Sequence, residues 1–174
     1  GPEWLAPARA AAARFPLRVP RAFADRIRRG DPADPLLRQV LPLGLELAEA
    51  SGFVADPVGD LASVAADGVL RKYAGRALLV TTGACGVHCR YCFRREFPYG
   101  EQLASARHWA GAIDAIAADP DAQEVILSGG DPLSLADARL AQLTDDLARI
   151  PHLETRRIHT RQPLVLPERV DGRL

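Results

Sequence analysis

Several things are scarce in this sequence, and each scarcity narrows the field. There is no methionine, there are only three cysteines, and a single lysine, Lys72, stands against 21 arginines in 174 residues. The arginine bias beside abundant alanine is a mark of GC-rich coding rather than of function, and the missing methionine points to a trimmed start. No apolar run approaches the roughly 20 residues that a membrane span needs. The Ala10–Ala13 stretch is short and is closed by Arg14, so no secretory signal pattern is seen. An excess of one charge is also missing: Lys and Arg total 22, and so do Asp and Glu. That balance argues against a nucleic acid or a membrane surface as partner. A hydrophobic share of 48% with 25% charged residues excludes a disordered tail and fits a globular chain.

The chain divides by pattern near residue 75. Residues 1–75 are rich in Pro and Gly and read as a helical or irregular extension that wraps the rest without a core of its own. Within it, Pro20–Gly30 is a candidate helix with Phe23 and Ile27 four apart. Asp34–Val40 is a second, and Asp56–Gly68 reads as irregular. From residue 76 the pattern changes to strand, loop, helix, strand, helix, strand. Ala77–Thr81, Glu124–Leu127 and Thr155–Thr160 are the strands. Ser105–Ala118, with Ser105 as N-cap, and Asp137–Ile150 are the helices, the latter with Leu140, Leu143 and Leu147 at helical spacing. Alternation of this kind predicts parallel strands with right-handed crossovers, in a wound α/β sheet or part of a barrel. Three strands close no such domain, so the natural protein is expected to be longer.

The residues that carry chemistry follow the first two strands, at the edge where such sheets bind ligands. Cys85-Gly86-Val87-His88-Cys89-Arg90-Tyr91-Cys92 holds every cysteine of the chain. An odd number without a secreted framework disfavours disulfides. A structural zinc site wants a fourth ligand, and His88 between two cysteines is poorly placed for it. A cubane iron–sulfur cluster usually takes four cysteines; three leave one iron open, as a reactive site requires. Tyr91 is placed to pack against a flat ligand ring. After the second strand comes Ser128-Gly129-Gly130-Asp131, whose glycines allow close backbone approach to a ligand. On its own it reads equally as a turn with Asp131 as N-cap and Pro132 at the first helical position.

The spacing Cys-x3-Cys-x-Tyr-Cys resembles the radical SAM superfamily. Further stretches resemble one branch of it: Lys72-Tyr73-Ala74-Gly75-Arg76 before the cysteines, Cys92-Phe93-Arg94-Arg95-Glu96-Phe97-Pro98-Tyr99 after them, Leu127–Leu133, and Arg157-Ile158-His159-Thr160-Arg161-Gln162-Pro163. From about Phe15 onward the chain is similar to the lysine 2,3-aminomutase family, and most similar to the subgroup that makes (R)-β-lysine for elongation factor P.

The resemblance implies a partial radical SAM (β/α) barrel, its first three strand–helix units lying in residues 76–174. It implies that Cys85, Cys89 and Cys92 hold a [4Fe–4S] cluster. S-adenosyl-L-methionine (SAM) would then be bound by Ser128, Gly129, Gly130 and Asp131, with Tyr91 and His159 lining its pocket. Arg94 matches the arginine for the substrate L-lysine carboxylate, and Lys72 and Arg76 match a basic pair near pyridoxal 5′-phosphate. Where the family more often has arginine, this chain has Lys72. The lysine that anchors pyridoxal phosphate, and the acids for the substrate's ε-ammonium, have no match before Leu174, so the chain is expected to be inactive alone. A flavodoxin- or ferredoxin-type electron donor and a cytoplasmic home are implied as well. Arg90 and Arg95 are expected to be solvated surface charges, and His88, His108 and His152 to be ordinary. Two other readings stand beside this one: a radical SAM enzyme for another amino acid, and a non-catalytic metal-binding module.

Overall fold

Which face of each strand is apolar decides where the layers lie. In the computed structural model, which describes residues 2–103, 109–172 and 174, one sheet has five strands in the order of the chain: β1 (Val64–Ala66), β2 (Val69–Tyr73), β3 (Arg76–Thr82), β4 (Glu124–Gly129) and β5 (Thr155–Ile158). β3, β4 and β5 are parallel neighbours, as strand–helix–strand crossovers require. β1 and β2 add to them antiparallel. The sheet is mixed and open, with β1 and β5 at its edges, and it does not close into a barrel.

One face of the sheet carries Val69, Ala77, Leu79, Val125 and Leu127, all buried. Two helices cover it, α4 (Ala110–Ala117) and α5 (Asp137–Ala148), through Ala112, Ile116, Leu140, Leu143 and Leu147. The spacing of the three leucines gives α5 one apolar stripe. On the other face Leu70, Leu78 and Ile126 stand in register across β2, β3 and β4. Among the described residues no helix covers that row; it lines a cavity. One face of β3 is therefore held by the helical layer while its other face lines the cavity.

The N-terminal extension differs from its expected form. α1 (Leu5–Arg14), which the sequence reading did not anticipate, is followed by single turns at α2 (Arg21–Ala24) and α3 (Leu37–Val40). The expected helix over residues 20–30 is thus one turn. Asp34, 2% exposed, sets the start of α3: its Oδ1 accepts from the backbone N–H groups of Leu36 and Leu37 at 2.8 and 3.0 Å. Phe23 and Val40 pack with Val87 of the cysteine loop and Val165 of α6 (Gln162–Val165) in a second small apolar cluster. The segment 56–68, expected to be irregular, holds β1. The two-residue turn Ala74-Gly75, with Gly75 at φ 75°, joins β2 to β3 as a hairpin across the expected boundary. Ser105 and His108 lie outside the described residues. Among the described residues no helix is long and apolar enough to cross a membrane.

Candidate active site

The cysteine loop leaves the end of β3 and has no helix or strand of its own, so its backbone groups need partners elsewhere. The extension supplies some. Arg18 Nη1 donates to Cys85 O at 3.1 Å, His88 N to Arg18 O at 2.9 Å, and Arg90 N to Gln39 O at 2.8 Å. The end of β4 supplies two more: Gly130 N donates to Thr82 O at 2.7 Å and Asp131 N to Ala84 O at 2.8 Å.

This approach accounts for the paired glycines. A Cβ on Gly130 would lie 2.2 Å from Ala84 O, and one on Gly129, at φ +120°, 2.5 Å from Thr82 O. What the backbone approaches closely is the chain's own cysteine loop. Asp131 continues the seam. Its Oδ1 accepts from Leu133 N at 3.0 Å and from Thr160 Oγ1 at 2.6 Å, and its Oδ2 from Arg161 N at 2.8 Å. The motif therefore caps a turn, as one reading of the sequence had it, and also ties the ends of β3, β4 and β5 into one rim.

Cys85, Cys89 and Cys92 are half-buried free thiols. They line a cavity of about 380 Å³ with Tyr91, Arg94, the Ser128–Asp131 turn, His159 and Arg161. Every residue expected to hold the cluster or SAM faces this one space. Burial pushes the Cys85 thiol up to about 12, reinforced by the Asp131 carboxylate and by the other two sulfurs. Burial also raises Cys92. Burial thus favours the protonated thiol at Cys85 and Cys92; a bound metal group would convert its ligand sulfurs to thiolates. Among the described residues no three His, Cys, Asp or Glu side chains converge closely enough to share one metal ion. A cubane takes one thiolate on each of separate irons, and three soft donors spread along one cavity wall fit that demand. His88 is turned away, its Nδ1 2.8 Å from Pro16 O and its ring stacked on Phe15. Tyr91 is largely exposed, with the Arg161 guanidinium over its ring.

A second cavity of about 390 Å³ adjoins the first, with Leu78, Phe93 and Arg94 lining both. Lys72, Arg76 and Asp60 also line it. Arg94 is 7% exposed. Its Nε donates to Asp60 Oδ2 at 2.6 Å and its Nη1 to Ser128 Oγ at 3.0 Å. Lys72 Nζ lies 2.5 Å from Asp60 Oδ1, an ion pair without hydrogen-bond alignment, and donates to Val58 O. The chain's only lysine is thus already engaged. Arg76 Nε pairs with Glu124 Oε2 at 2.7 Å, and Arg157 Nε takes the other oxygen at 2.6 Å. Together these Arg157 and Arg76 charges hold the Glu124 carboxyl below its usual range.

Sequence reasoning missed Asp60, the 1% exposed carboxylate at the centre of this charge cluster. The only local signal is a turn: Asp56 accepts from the backbone N–H groups of Asp60 and Leu61, both at 2.9 Å. It also misjudged Arg90 and Arg95, whose side chains are 6% and 19% exposed. Arg90 donates to both oxygens of Glu46 and to Phe15 O, and Arg95 joins the same carboxylate at 3.1 Å. These two arginines pin the extension to the cysteine loop. His152 is ordinary, its Nε2 3.3 Å from Ile116 O.

No protein-family model matches the chain, but curated relatives do. It is 49% identical to an L-lysine 2,3-aminomutase of Escherichia coli K12, over 97% of this chain and 49% of that protein. Against an L-lysine 2,3-aminomutase of Haemophilus influenzae the identity is 48%, over 90% of this chain and 46% of the relative. One from Buchnera aphidicola is 43% identical, over 92% and 47%. The chain spans about half the length of these relatives. With nearly all of its residues matched at such identity, and with its motifs lining two adjoining cavities, the chain belongs to the L-lysine 2,3-aminomutase family.

Proposed function

We propose that these residues form the cluster- and SAM-holding half of a radical SAM L-lysine 2,3-aminomutase. The reaction is the conversion of (S)-α-lysine to (R)-β-lysine, and the product serves the modification of elongation factor P. The observation that carries this reading is the meeting of Cys85, Cys89 and Cys92 with Ser128–Asp131 and His159 in one cavity. That cavity adjoins one lined by Lys72, Arg76 and Arg94. In this reading residues 1–75 wrap and brace the site, and residues 76–174 carry the first part of the catalytic domain.

The three cysteines would hold three irons of a [4Fe–4S] cluster and leave the fourth for SAM. When bound, cluster and SAM supply a hydrogen-abstracting radical, and pyridoxal phosphate an electron sink for the migrating nitrogen. The chain's own residues do the positioning. Asp60 and Ser128 take the Nε and Nη1 hydrogens of Arg94, which orients its fork between the two cavities. A planar guanidinium held in this way suits an α-carboxylate. Lys72 and Arg76 place positive charge at the wall where an anionic cofactor is expected. Phe93 and Leu78 keep the shared wall apolar, which favours exclusion of water. Buried thiols that must ionise to bind iron suit a reducing compartment, the cytoplasm, and a low-potential flavin or iron–sulfur protein suits the electron supply.

The test is anaerobic purification of the full-length protein, iron and sulfide analysis, and assay of L-lysine with SAM, pyridoxal phosphate and dithionite. β-Lysine should form, Cys92→Ala should abolish the cluster, and the 174-residue chain alone should not turn over. A colourless, zinc-loaded protein, or turnover of a different amino acid in place of lysine, would overturn the reading.

A further inference from the structure

Arg161 brings a positive charge onto a cysteine sulfur. It follows β5 and precedes α6, and its guanidinium reaches back across the rim. Nη1 donates to Cys89 Sγ at 2.6 Å and Nη2 to Gln39 Oε1 at 2.8 Å. Its backbone N–H is held by Asp131 Oδ2 at 2.8 Å, and its charge lies 5.3 Å from the centre of the Tyr91 ring. Two segments far apart in sequence thus clamp the side chain, α3 through Gln39 and the cysteine loop through Cys89 and Tyr91, while the end of β4 holds the backbone of the same residue through Asp131. A planar fork with several donors can serve a sulfur and an amide oxygen at once, and an ammonium in its place cannot hold both in the same plane.

Nothing in the proposed reaction uses this contact as a substrate bond. A simple tie between the ends of β5 and β4 would need only the Asp131 bond; the aim of the guanidinium at sulfur is additional. We infer that Arg161 is a positioning residue for Cys89 that raises the reduction potential of the bound cluster. The inference rests on the cluster reading above. In the step concerned the cluster gains one electron and an external one-electron donor, dithionite in the test, loses it. No bond is made or broken, and no proton moves. The reduced cluster carries one more negative charge. A cationic donor on a ligand sulfur stabilises that state more than the oxidised one.

The experiment is a redox titration of the anaerobically reconstituted full-length protein, followed by the electron paramagnetic resonance of the reduced cluster. Wild type, Arg161→Gln, Arg161→Lys and Gln39→Leu are compared, with iron content measured in each. Arg161→Gln should disfavour reduction at least tenfold, a fall of about 59 mV for one electron. Arg161→Lys, which keeps charge but not the fork, should fall between it and wild type. Gln39→Leu leaves the charge and frees the fork, and should lower the potential by a smaller step. A normal iron content with Arg161→Gln within threefold of wild type overturns the inference and leaves the cluster reading standing. Should Arg161→Gln hold no iron, Gln39→Leu decides: an unmoved potential there overturns it equally. A wild-type protein that binds no iron sinks the cluster reading, and the inference with it.

Discussion

Replacing Asp60 by asparagine tests the charge cluster between the two cavities. Asp60 is 1% exposed and neutralises two cations, Arg94 Nε at 2.6 Å and Lys72 Nζ at 2.5 Å. Asn keeps the shape and removes the charge. Arg94 cannot shed its proton and is itself 7% exposed, so it is left as a buried charge among neutral groups, the Ser128 hydroxyl and the Phe93 ring among them. Breaking a buried pair from one side destabilises by about 3–5 kcal/mol. Two features place this case at the lower end. The Lys72 side chain, 24% exposed, can turn to water, and the Asn oxygen can still accept from Arg94. The expected loss is about 3 kcal/mol, and at about 2–4 °C per kcal/mol for a chain of this size it lowers Tm by about 6–12 °C. The measurement is thermal and urea unfolding of Asp60→Asn, Arg94→Met and the double variant. Once Arg94 is gone the Asp60 charge has less to do, so the double variant should lose less than the sum of the singles, with a coupling above about 1.5 kcal/mol. A single-variant loss under about 1 kcal/mol, or additivity within about 0.5 kcal/mol, would refute the account of Asp60 as the hub.

Two further outcomes follow from the seams around the cysteine loop. Gly130→Ala puts a Cβ 2.2 Å from Ala84 O; backbone cannot yield as a flexible side chain can, so the variant should lose about 2–3 kcal/mol and most of its iron on reconstitution, while a variant of wild-type stability and iron content would show that the seam is slack. For Glu46, burial alone would raise the carboxyl, but the Arg90 bonds, the Leu43 N–H and Arg95 outweigh it and hold it below its usual value. Since the folded group titrates lower than the unfolded one, at about 4.3, the stabilisation is complete above that value and is lost as pH falls through the folded pKa. Limited proteolysis by pepsin between pH 5 and 2 should therefore release the segment before the cysteine loop first, and Glu46→Gln should lose this dependence; cleavage unchanged by the substitution would refute it.

The parallel half of the sheet was legible because its signals are local. β3, β4 and β5 begin at or beside the expected positions, and α5 begins at Asp137 as its leucine spacing required. The rim where the motifs meet was legible too, since the special residues follow strand ends. The extension was not. β1 is three residues long and has no periodicity to read; it forms because β2 offers it a paired edge. α2 and α3 are single turns, stabilised by packing on Val87 and Val165 rather than by their own propensity. Asp60, Arg90 and Arg95 were missed for one reason: burial of a charge depends on a partner distant in the chain, and neither Glu46 nor Asp60 stands in a motif. The paired glycines were noticed with an incomplete reason, because the backbone they let in belongs to the same chain.

The extension reads as a wrapper by composition, yet it supplies the groups that decide where the site's charges point. Gln39 holds the far end of the Arg161 fork, Asp60 the Nε of Arg94, and Glu46 both Arg90 and Arg95. Each of these acceptors takes an arginine that borders the cysteines in sequence or in space. The parallel strands place sulfur donors at a rim, as such sheets commonly do; a rim alone leaves long arginine side chains free among many rotamers. Three acceptors from a segment with little regular structure remove that freedom. Arg94 and Arg161 both line the cysteine cavity, one also lining the neighbouring cavity and one against sulfur. The distinction between the two guanidiniums, one bordering the neighbouring cavity and one committed to the cysteine loop, comes from residues 39 and 60, and not from the cysteine motif itself.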